Sequence, residues 1–376
     1  MLFRSSVETY ARAKKGIYSL FEMKQRINGK PLPYCEVVDM GNESRSGNYS
    51  LMSRRMKQRL QETLDKKEQA MILLNKRGYA SFIKCESCNE PIRCPHCDVT
   101  LTYHKAENRL KCHLCEYFIP TPRTCPNCGS THLKKIGYGT QKIEEELKKQ
   151  YPEAHIIRFD FDTTRNKNTH LKLLKDFEEH KADIMLGTQM IAKGLDFSNV
   201  TFVGVLMADL SLMVPDFRAS ERTFQLLCQV AGRSGRGEKQ GTVMIQTFNP
   251  EHYAIKAAVK QDYDAFFKEE IAFRKKAKYP PYCHLVSVIV QSRSPKNVHS
   301  IALDISQYLK DHLEKVRIIG PQSTFKMQDI YRERILIKYI ESKPIYEQLS
   351  IIDDYYNRTR KGGVIVACDF NPYSTY

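Results

Sequence analysis

The sequence predicts an α/β protein with a parallel sheet, a cysteine-rich insert and a second, α+β domain behind it. Three observations carry that expectation. Short apolar runs alternate with amphipathic segments between residues 70 and 250, eight cysteines crowd between Cys85 and Cys128, and a β-α-β-β-α-β pattern fills the C-terminal part.

The chain has 376 residues, enough for two or three domains of ordinary size. Hydrophobic residues make up 41% and charged residues 27%, a balance that can bury real cores, and no apolar run reaches the ~18 residues of a membrane span. A membrane role is therefore not expected, and the start Met1-Leu2-Phe3-Arg4 lacks the apolar stretch of a signal peptide, which points to the cytoplasm. Net charge is +16, with the basic excess toward both ends, as in proteins that meet nucleic acid or another anionic surface.

The lobe begins at Ala70–Leu74, a strand followed by a turn at Asn75–Gly78. The insert comes next. Cys85-x-x-Cys88, Cys94-x-x-Cys97, Cys112-x-x-Cys115 and Cys125-x-x-Cys128 share one spacing, and each pair can give two thiolates to a tetrahedral ion. Four pairs make two closed zinc sites of structural type, and in a chain without a secretory signal metal is favoured over disulfides. Three pairings of the pairs are open. The nested one is favoured, with Cys94, Cys97, Cys112 and Cys115 across a hairpin at Val99–Leu110 and Cys85, Cys88, Cys125 and Cys128 clamping the outer ends; consecutive pairing is the alternative. His96 and His113 could substitute as ligands, but eight sulfurs already fill two tetrahedra. The thiolates leave the module net negative, so protein contacts or strand separation are expected of it rather than tight phosphate binding. Cys35, Cys228, Cys283 and Cys368 are scattered and read as small buried apolar residues.

Beyond the insert, strands are expected at Ala154–Asp160, Asp183–Thr188, Thr201–Asp209 and Gly241–Phe248, with helices at Gln141–Tyr151, His170–Lys181 and Glu221–Arg233. Two segments carry chemistry. In Gln229-Val-Ala-Gly-Arg-Ser-Gly-Arg236, helical spacing puts Gln229, Gly232, Arg233 and Arg236 on one face, and a permanently charged planar guanidinium suits the charge developing on a transferring phosphoryl group. The alternative is a solvated basic face at a glycine-rich helix end. In Gly187–Phe197, at the C-terminal end of a strand where open sheets bind ligands, Thr188 and Gln189 can bond a DNA phosphate, and Asp196 can face a ribose or the arginines. A plain loop is the alternative there.

A helical run at His252–Lys278 ends at Pro280-Pro281, and the strands and helices that follow run His284–Ser292, Lys296–Lys315, Val316–Gly320, Arg332–Ile340, Pro344–Tyr355 and Gly363–Asp369, a ferredoxin-like order.

The two chemical segments resemble motifs V and VI of superfamily 2 helicases. Asn75-Lys-Arg-Gly-Tyr-Ala80, the cysteine spacing, Cys94-Pro-His-Cys-Asp98, Leu101-Thr-Tyr-His104, Gly139-Thr140, Asp209-Leu-Ser211, Pro215–Ser220 and Phe248-Asn-Pro-Glu-His252 extend the resemblance, from about Val7 onward, to the primosomal protein N′ (PriA) family of replication-restart DNA helicases. That resemblance implies an ATP-dependent 3′-5′ DNA helicase active at stalled forks in replication and repair, in the bacterial cytoplasm and associated with the nucleoid. It implies a RecA-like second lobe at 70–250 with the zinc module at 85–131 inserted, a C-terminal domain at 251–376 that contacts DNA, and the tail of a first lobe at 1–69. The nested zinc pairing agrees with it.

By the same resemblance Arg233 and Arg236 are catalytic, Gly194, Asp196 and Gln229 bind ATP, and Thr188, Gln189 and Lys193 bind DNA. The cofactors implied are two Zn²⁺, with ATP and Mg²⁺ in the intact protein. The partners implied are forked or single-stranded DNA, primosome proteins, the replicative helicase loader and single-stranded DNA-binding protein. The chain holds no Gly-x-x-x-x-Gly-Lys-Ser/Thr and no Asp-Glu-x-x box, and Leu2–Ser6 stands where the family has Ser-Ala-Thr-Pro-Ser, so a first lobe is expected upstream and this chain alone is expected to be inactive. A stripe of Met52, Met56, Leu60 and Leu64 on a helix near Met52–Lys67 is then expected to lie loose or exposed. A zinc-stapled scaffold without catalysis is the second reading, and a zinc-ribbon RNA-binding factor the third, which fits the charge but not motif VI.

Overall fold

The structure is a computed structural model and describes residues 5–22, 31–74, 82–85, 87–88, 90–96, 100–104, 108–112, 117–136, 140–160, 167–192, 197–214, 216–235, 237, 239–324, 326–358 and 363–374. The Ser6 hydroxyl accepts from the Thr9 amide and caps α1 (Val7–Lys14). β1 (Tyr34–Asp39) leads into α2 (Met40–Arg45), capped by the Asp39 carboxylate, and Ser53 caps α3 (Arg54–Asp65). β2 (Gln69–Leu74) precedes the cysteine-rich segment, which contributes β3 (Phe82–Cys85), β4 (Thr102–His104), β5 (Arg109–Lys111), β6 (Phe118–Pro120) and β7 (Leu133–Ile136). Then come α4 (Thr140–Gln150), β8 (Ile156–Phe159), α5 (Lys167–Glu178), β9 (Ile184–Gly187), β10 (Val200–Leu206), α6 (Ala219–Ala231), β11 (Thr242–Thr247), α7 (Tyr253–Lys260) and α8 (Tyr263–Ala277). The last stretch holds β12 (His284–Ser292), α9 (Pro295–His312), β13 (Arg317–Ser323), β14 (Tyr331–Tyr339), α10 (Ser342–Asp353) and β15 (Ile365–Phe370).

The chain divides into two units, Met1–Gly78 with Tyr138–Ala272 and Tyr79–Gly137 with Phe273–Tyr376. The first is built on a six-stranded sheet in the order β1-β11-β10-β2-β9-β8, parallel throughout. Every residue of β2, β9, β10 and β11 is buried, because helices cover both faces of the sheet. Alternate strand residues go to opposite faces. Met71, Leu73, Val203, Val205, Val243 and Ile245 share one core with Phe224 and Leu227 of α6, while Ile72, Leu74, Phe202 and Leu206 share the other with Met56 and Leu60 of α3 and Ile143 and Leu147 of α4.

Two expectations need correction here. Met52, Met56 and Leu60 are fully buried, so their stripe is neither loose nor exposed: β1 pairs along β11, and α3 closes the face of the same sheet. The helical run expected from His252 to Lys278 is broken, since Gln261 adopts a left-handed conformation (φ 51°) that ends α7 before α8 begins. At the other end of the unit, α1 is clamped onto α6. The Val7 amide donates to buried Glu221 at 3.0 Å, Arg218 and Glu8 pair at 2.8 Å, and the Tyr10 hydroxyl donates to Asp264 at 2.7 Å.

In the second unit, antiparallel pairing of β3 with β7 joins the two ends of the cysteine-rich module, and β4, β5 and β6 form a small antiparallel sheet. Ile83, Ile92, Leu101 and Leu110 make its core together with Cys94 and Cys112. The C-terminal sheet has the order β13-β14-β12-β15, with α9 and α10 over Val286, Val288, Val290, Ile335 and Ile337, which is the ferredoxin-like arrangement the strand and helix order predicts. The tip between β13 and β14, residues 324–330, holds the zinc module. The Asp329 amide donates to the His96 carbonyl at 2.9 Å, Asp329 Oδ2 meets His96 Nδ1 at 2.6 Å, Lys326 donates to the Pro95 carbonyl, and Met327 packs against the module's core.

Candidate functional site

The outer cysteine set is assembled by tight turns at both ends of the module. The Cys85 amide donates to the Glu90 carbonyl and the Cys125 amide to the Ser130 carbonyl, so each C-x-x-C pair turns both sulfurs inward. Cys85 Sγ lies 3.6 Å from Cys128 Sγ and Cys88 Sγ 3.7 Å from Cys125 Sγ, with all four sulfurs within 4.8 Å of one another. Zn–S bonds of ~2.3 Å at tetrahedral angles place sulfurs ~3.8 Å apart, so this donor set fits a structural zinc ion with no open position. Four thiols crowded without a cation cannot all ionise. The Cys88 amide is the main influence drawing Cys85 down to about 6, whereas Cys128, despite the amide of Ser130, is pushed up to about 12 by burial and the neighbouring thiols. A bound dication reverses the second effect.

Of the inner set, Cys94 and Cys112 are fully buried in the same module core, while Cys97 and Cys115 lie outside the described residues, as does His113. His96 Nδ1 meets Asp329, and its ring makes an edge-on contact with Tyr117.

In the first unit the two motif segments, one after β9 and the other after α6, meet. Thr188 and Gln189, both half-buried, follow the last residue of β9 in a turn closed by Ile191 N donating to Thr188 O. Gly187 admits no side chain, since a Cβ there would sit 2.4 Å from the Phe159 carbonyl. Arg233 reaches this turn from below and donates from Nε to the Ala192 carbonyl at 3.1 Å. Its neighbour Ser234 is fully buried and bonds the Thr201 and Thr242 carbonyls, at the starts of β10 and β11.

The single helical face expected for Gln229, Gly232, Arg233 and Arg236 is not formed. α6 stops at Ala231, and of the described residues Gln229, Gly232 and Arg233 only Gln229 is helical. The reason is close backbone approach: Gly235 has φ 68°, its amide bonds the Val200 carbonyl, and a Cβ on it would lie 2.4 Å from Gly241 N, so the chain must leave the helix to pack there. Arg236, Lys193, Gly194 and Asp196 lie outside the described residues.

Other motif blocks prove to be structural ties whose roles the sequence did not reveal. Buried Asp209 accepts from Thr247 Oγ1 at 2.7 Å and from the Phe248 and Asn249 amides, which joins two of the blocks. Burial holds His252 below its ordinary value against the pull of Asp209. Thr140 Oγ1 donates to buried Asp160 at 2.7 Å, and Arg158 pairs with the same carboxylate at 2.9 Å. Asp209 carries no local spacing signal, because its partners lie about forty positions away in sequence.

A covered parallel sheet whose arginine-bearing loop meets the turn after β9 is the second lobe of a RecA-like helicase core, and residues 133–238 match the helicase conserved C-terminal domain. Residues 94–120 match the PriA DNA helicase Cys-rich region domain, and residues 275–373 the primosomal protein N C-terminal domain. Replication restart protein PriA of Bacillus subtilis is 46% identical over 98% of this chain and 46% of its own length. Those of Synechocystis and Chlamydia pneumoniae are 40% and 39% identical, over 85% and 92% of this chain and 39% and 47% of their own. The chain belongs to the PriA family, and it spans about half the length of the curated relatives it matches.

Proposed function

We propose that the chain is the second-lobe and C-terminal part of an ATP-dependent 3′-5′ DNA helicase that binds stalled forks and restarts replication with primosome proteins, a replicative helicase loader and single-stranded DNA-binding protein. The observation that supports this best is the meeting of the motif VI arginine with the turn that carries Thr188 and Gln189, at 3.1 Å between Arg233 Nε and the Ala192 carbonyl. A nucleotide sensed at the arginines and a phosphate held at the turn would thereby share one piece of backbone.

In this reading Arg233 and Arg236 stabilise charge on the transferring phosphoryl group, Gly194, Asp196 and Gln229 face the nucleotide, and Thr188, Gln189 and Lys193 hold the DNA backbone. The phosphate loop and the Mg²⁺ carboxylates come from a first lobe, and two zinc ions brace the module. The second lobe, expected at 70–250, takes in β1 and α3 before it and α7 and most of α8 after it, with 85–131 as its insert and the rest of 251–376 as the DNA-contacting C-terminal domain.

The test is ATP hydrolysis with and without DNA. This chain alone should hydrolyse nothing, and joined to a first lobe it should gain DNA-stimulated turnover that Arg236→Ala lowers by a factor on the order of 10³. DNA-stimulated hydrolysis by the chain alone, abolished by Arg236→Ala, would overturn the reading of a missing half-site. Salt-insensitive DNA binding would overturn the backbone-contact reading.

A further inference from the structure

The exposed face of the module's small sheet has the chemistry of a base-stacking platform. Lys111 stands opposite Thr102 on β4 and Phe118 on β6, and Arg109 stands opposite Pro120. Directly opposed residues of antiparallel strands share a face. Arg109, Lys111, Phe118 and Pro120 therefore lie on one side, while Tyr103, Leu110 and Ile119 turn to the other and fill the core. Phe118 remains 55% exposed, and the Arg109 guanidinium sits over its ring at 4.9 Å. A large aromatic ring left in water on a β-strand costs solvation, and a guanidinium stacked on it fixes its orientation without covering it.

We propose that Phe118, with Arg109 and Lys111, binds a nucleobase of single-stranded DNA by stacking, which rests on the DNA-binding reading above. Charge complementarity selects this occupant. Among the described residues 100–104, 108–112 and 117–124 there is no carboxylate, and two of those on this face, Arg109 and Lys111, are cations beside the ring, although zinc thiolates would make the module as a whole net negative. The outer thiolates share their charge with a dication, and screening over ~8–10 Å limits what remains. An aromatic ring beside two cations offers a π-face to any base, so the site is indifferent to sequence and selects unpaired bases, whose faces are free. Stacked bases inside a duplex have no face to offer. The module would thereby hold one strand where strands part, which charge alone argued against.

The experiment measures anisotropy of a labelled oligothymidylate and of a labelled blunt duplex with the zinc-loaded chain. Phe118→Ala should weaken oligothymidylate binding on the order of ten-fold, leave duplex binding unchanged, and keep the same ratio to wild type as salt rises, while Phe118→Tyr binds as wild type. Lys111→Ala should lose less at high salt than at low salt. If wild type binds oligothymidylate and Phe118→Ala and Phe118→Leu both bind equally well, the stacking site is refuted while the DNA-binding reading stands, and Phe118 is then left as a contact for another protein. If wild type binds neither probe, the DNA-binding reading itself fails. Zinc content is measured for each variant, and Phe118→Leu, which keeps apolar bulk without a π-face, decides the question if Phe118→Ala loses metal.

Discussion

The parallel sheet of the first unit and the zinc module of the second solve the same problem with different materials. The sheet has four strands buried along their whole length and a core on each face, so its stability comes from apolar area removed from water. The module has strands of three or four residues and a core in which Cys94 and Cys112 take places that leucines would otherwise fill. A hydrophobic core that small does not offset the entropy of ordering its loops, and thiolate–metal bonds supply the difference.

The largest expected effect breaks the comparison outright. Chelating the metal, or replacing Cys125 by serine, should unfold the module while the sheet keeps its far-ultraviolet signal, because structural zinc contributes on the order of 10 kcal/mol to folding at neutral pH. Elemental analysis of reduced wild-type protein should give two zinc ions per chain, and hydrogen exchange should show protection lost at Ile83, Leu101 and Leu110 but kept at Ile72 and Val203. Equal loss in both regions would mean that they fold as one.

The reverse perturbation is next in size. Phe202→Ala removes a ring that is 1% exposed between β2, α3 and β11, and should cost about 3–5 kcal/mol, read as a lower unfolding midpoint with zinc stoichiometry unchanged. Half-loss of zinc in this variant would show that the sheet supports the module.

A smaller effect probes the seam inside the second unit. Asp329→Ala removes a side-chain contact with His96 whose partners are 57% and 41% exposed, so the loss should be under about 1 kcal/mol, seen as faster proteolysis near residues 324–330. Met327→Ala should have a larger effect, because Met327 packs into the module core.

The smallest contrast lies between two cysteines. Burial pushes the Cys368 thiol from 9.0 up to about 11, while the Cys88 amide draws Cys85 down to about 6. Once chelation has unfolded the module, alkylation at pH 7 should label Cys85 in the opened chain and leave Cys368, still half-buried in its sheet, unreacted. For Cys368 the neutral form is the one the fold favours. Its contribution is intact below pH 9 and fades as pH rises from 9 to about 11, where the unfolded chain ionises and the folded one does not. Cys368→Ala should flatten that alkaline loss.

Much of this was legible in the residues themselves. Period-two and continuous apolar runs located β2, β9 and β11 to within a residue and β10 to within three, and C-x-x-C spacing singled out Cys85, Cys88, Cys125 and Cys128, whose sulfurs the fold gathers, because both signals are local and set by the geometry of a strand or a tetrahedral ion. The end of α6 was not legible. Helical spacing continued through Arg233 and Arg236, and only the close packing of Gly235 on Gly241, with the Gly235 amide bonded to the distant Val200 carbonyl, shows why the helix stops at Ala231.

What the sequence determined alone was composition, element order, the cysteine pairs and the motif residues, all of which depend on neighbours a few positions away. The tertiary structure decided the rest: that β1 and α3 complete the sheet, that Arg233 meets Ala192 across 41 positions, that Asp329 reaches His96 across 233, and that Arg109, Lys111 and Phe118 share a face. Such pairings are chosen by which buried surfaces and hydrogen-bonding groups fit once the chain has closed on itself, and no local pattern records that choice.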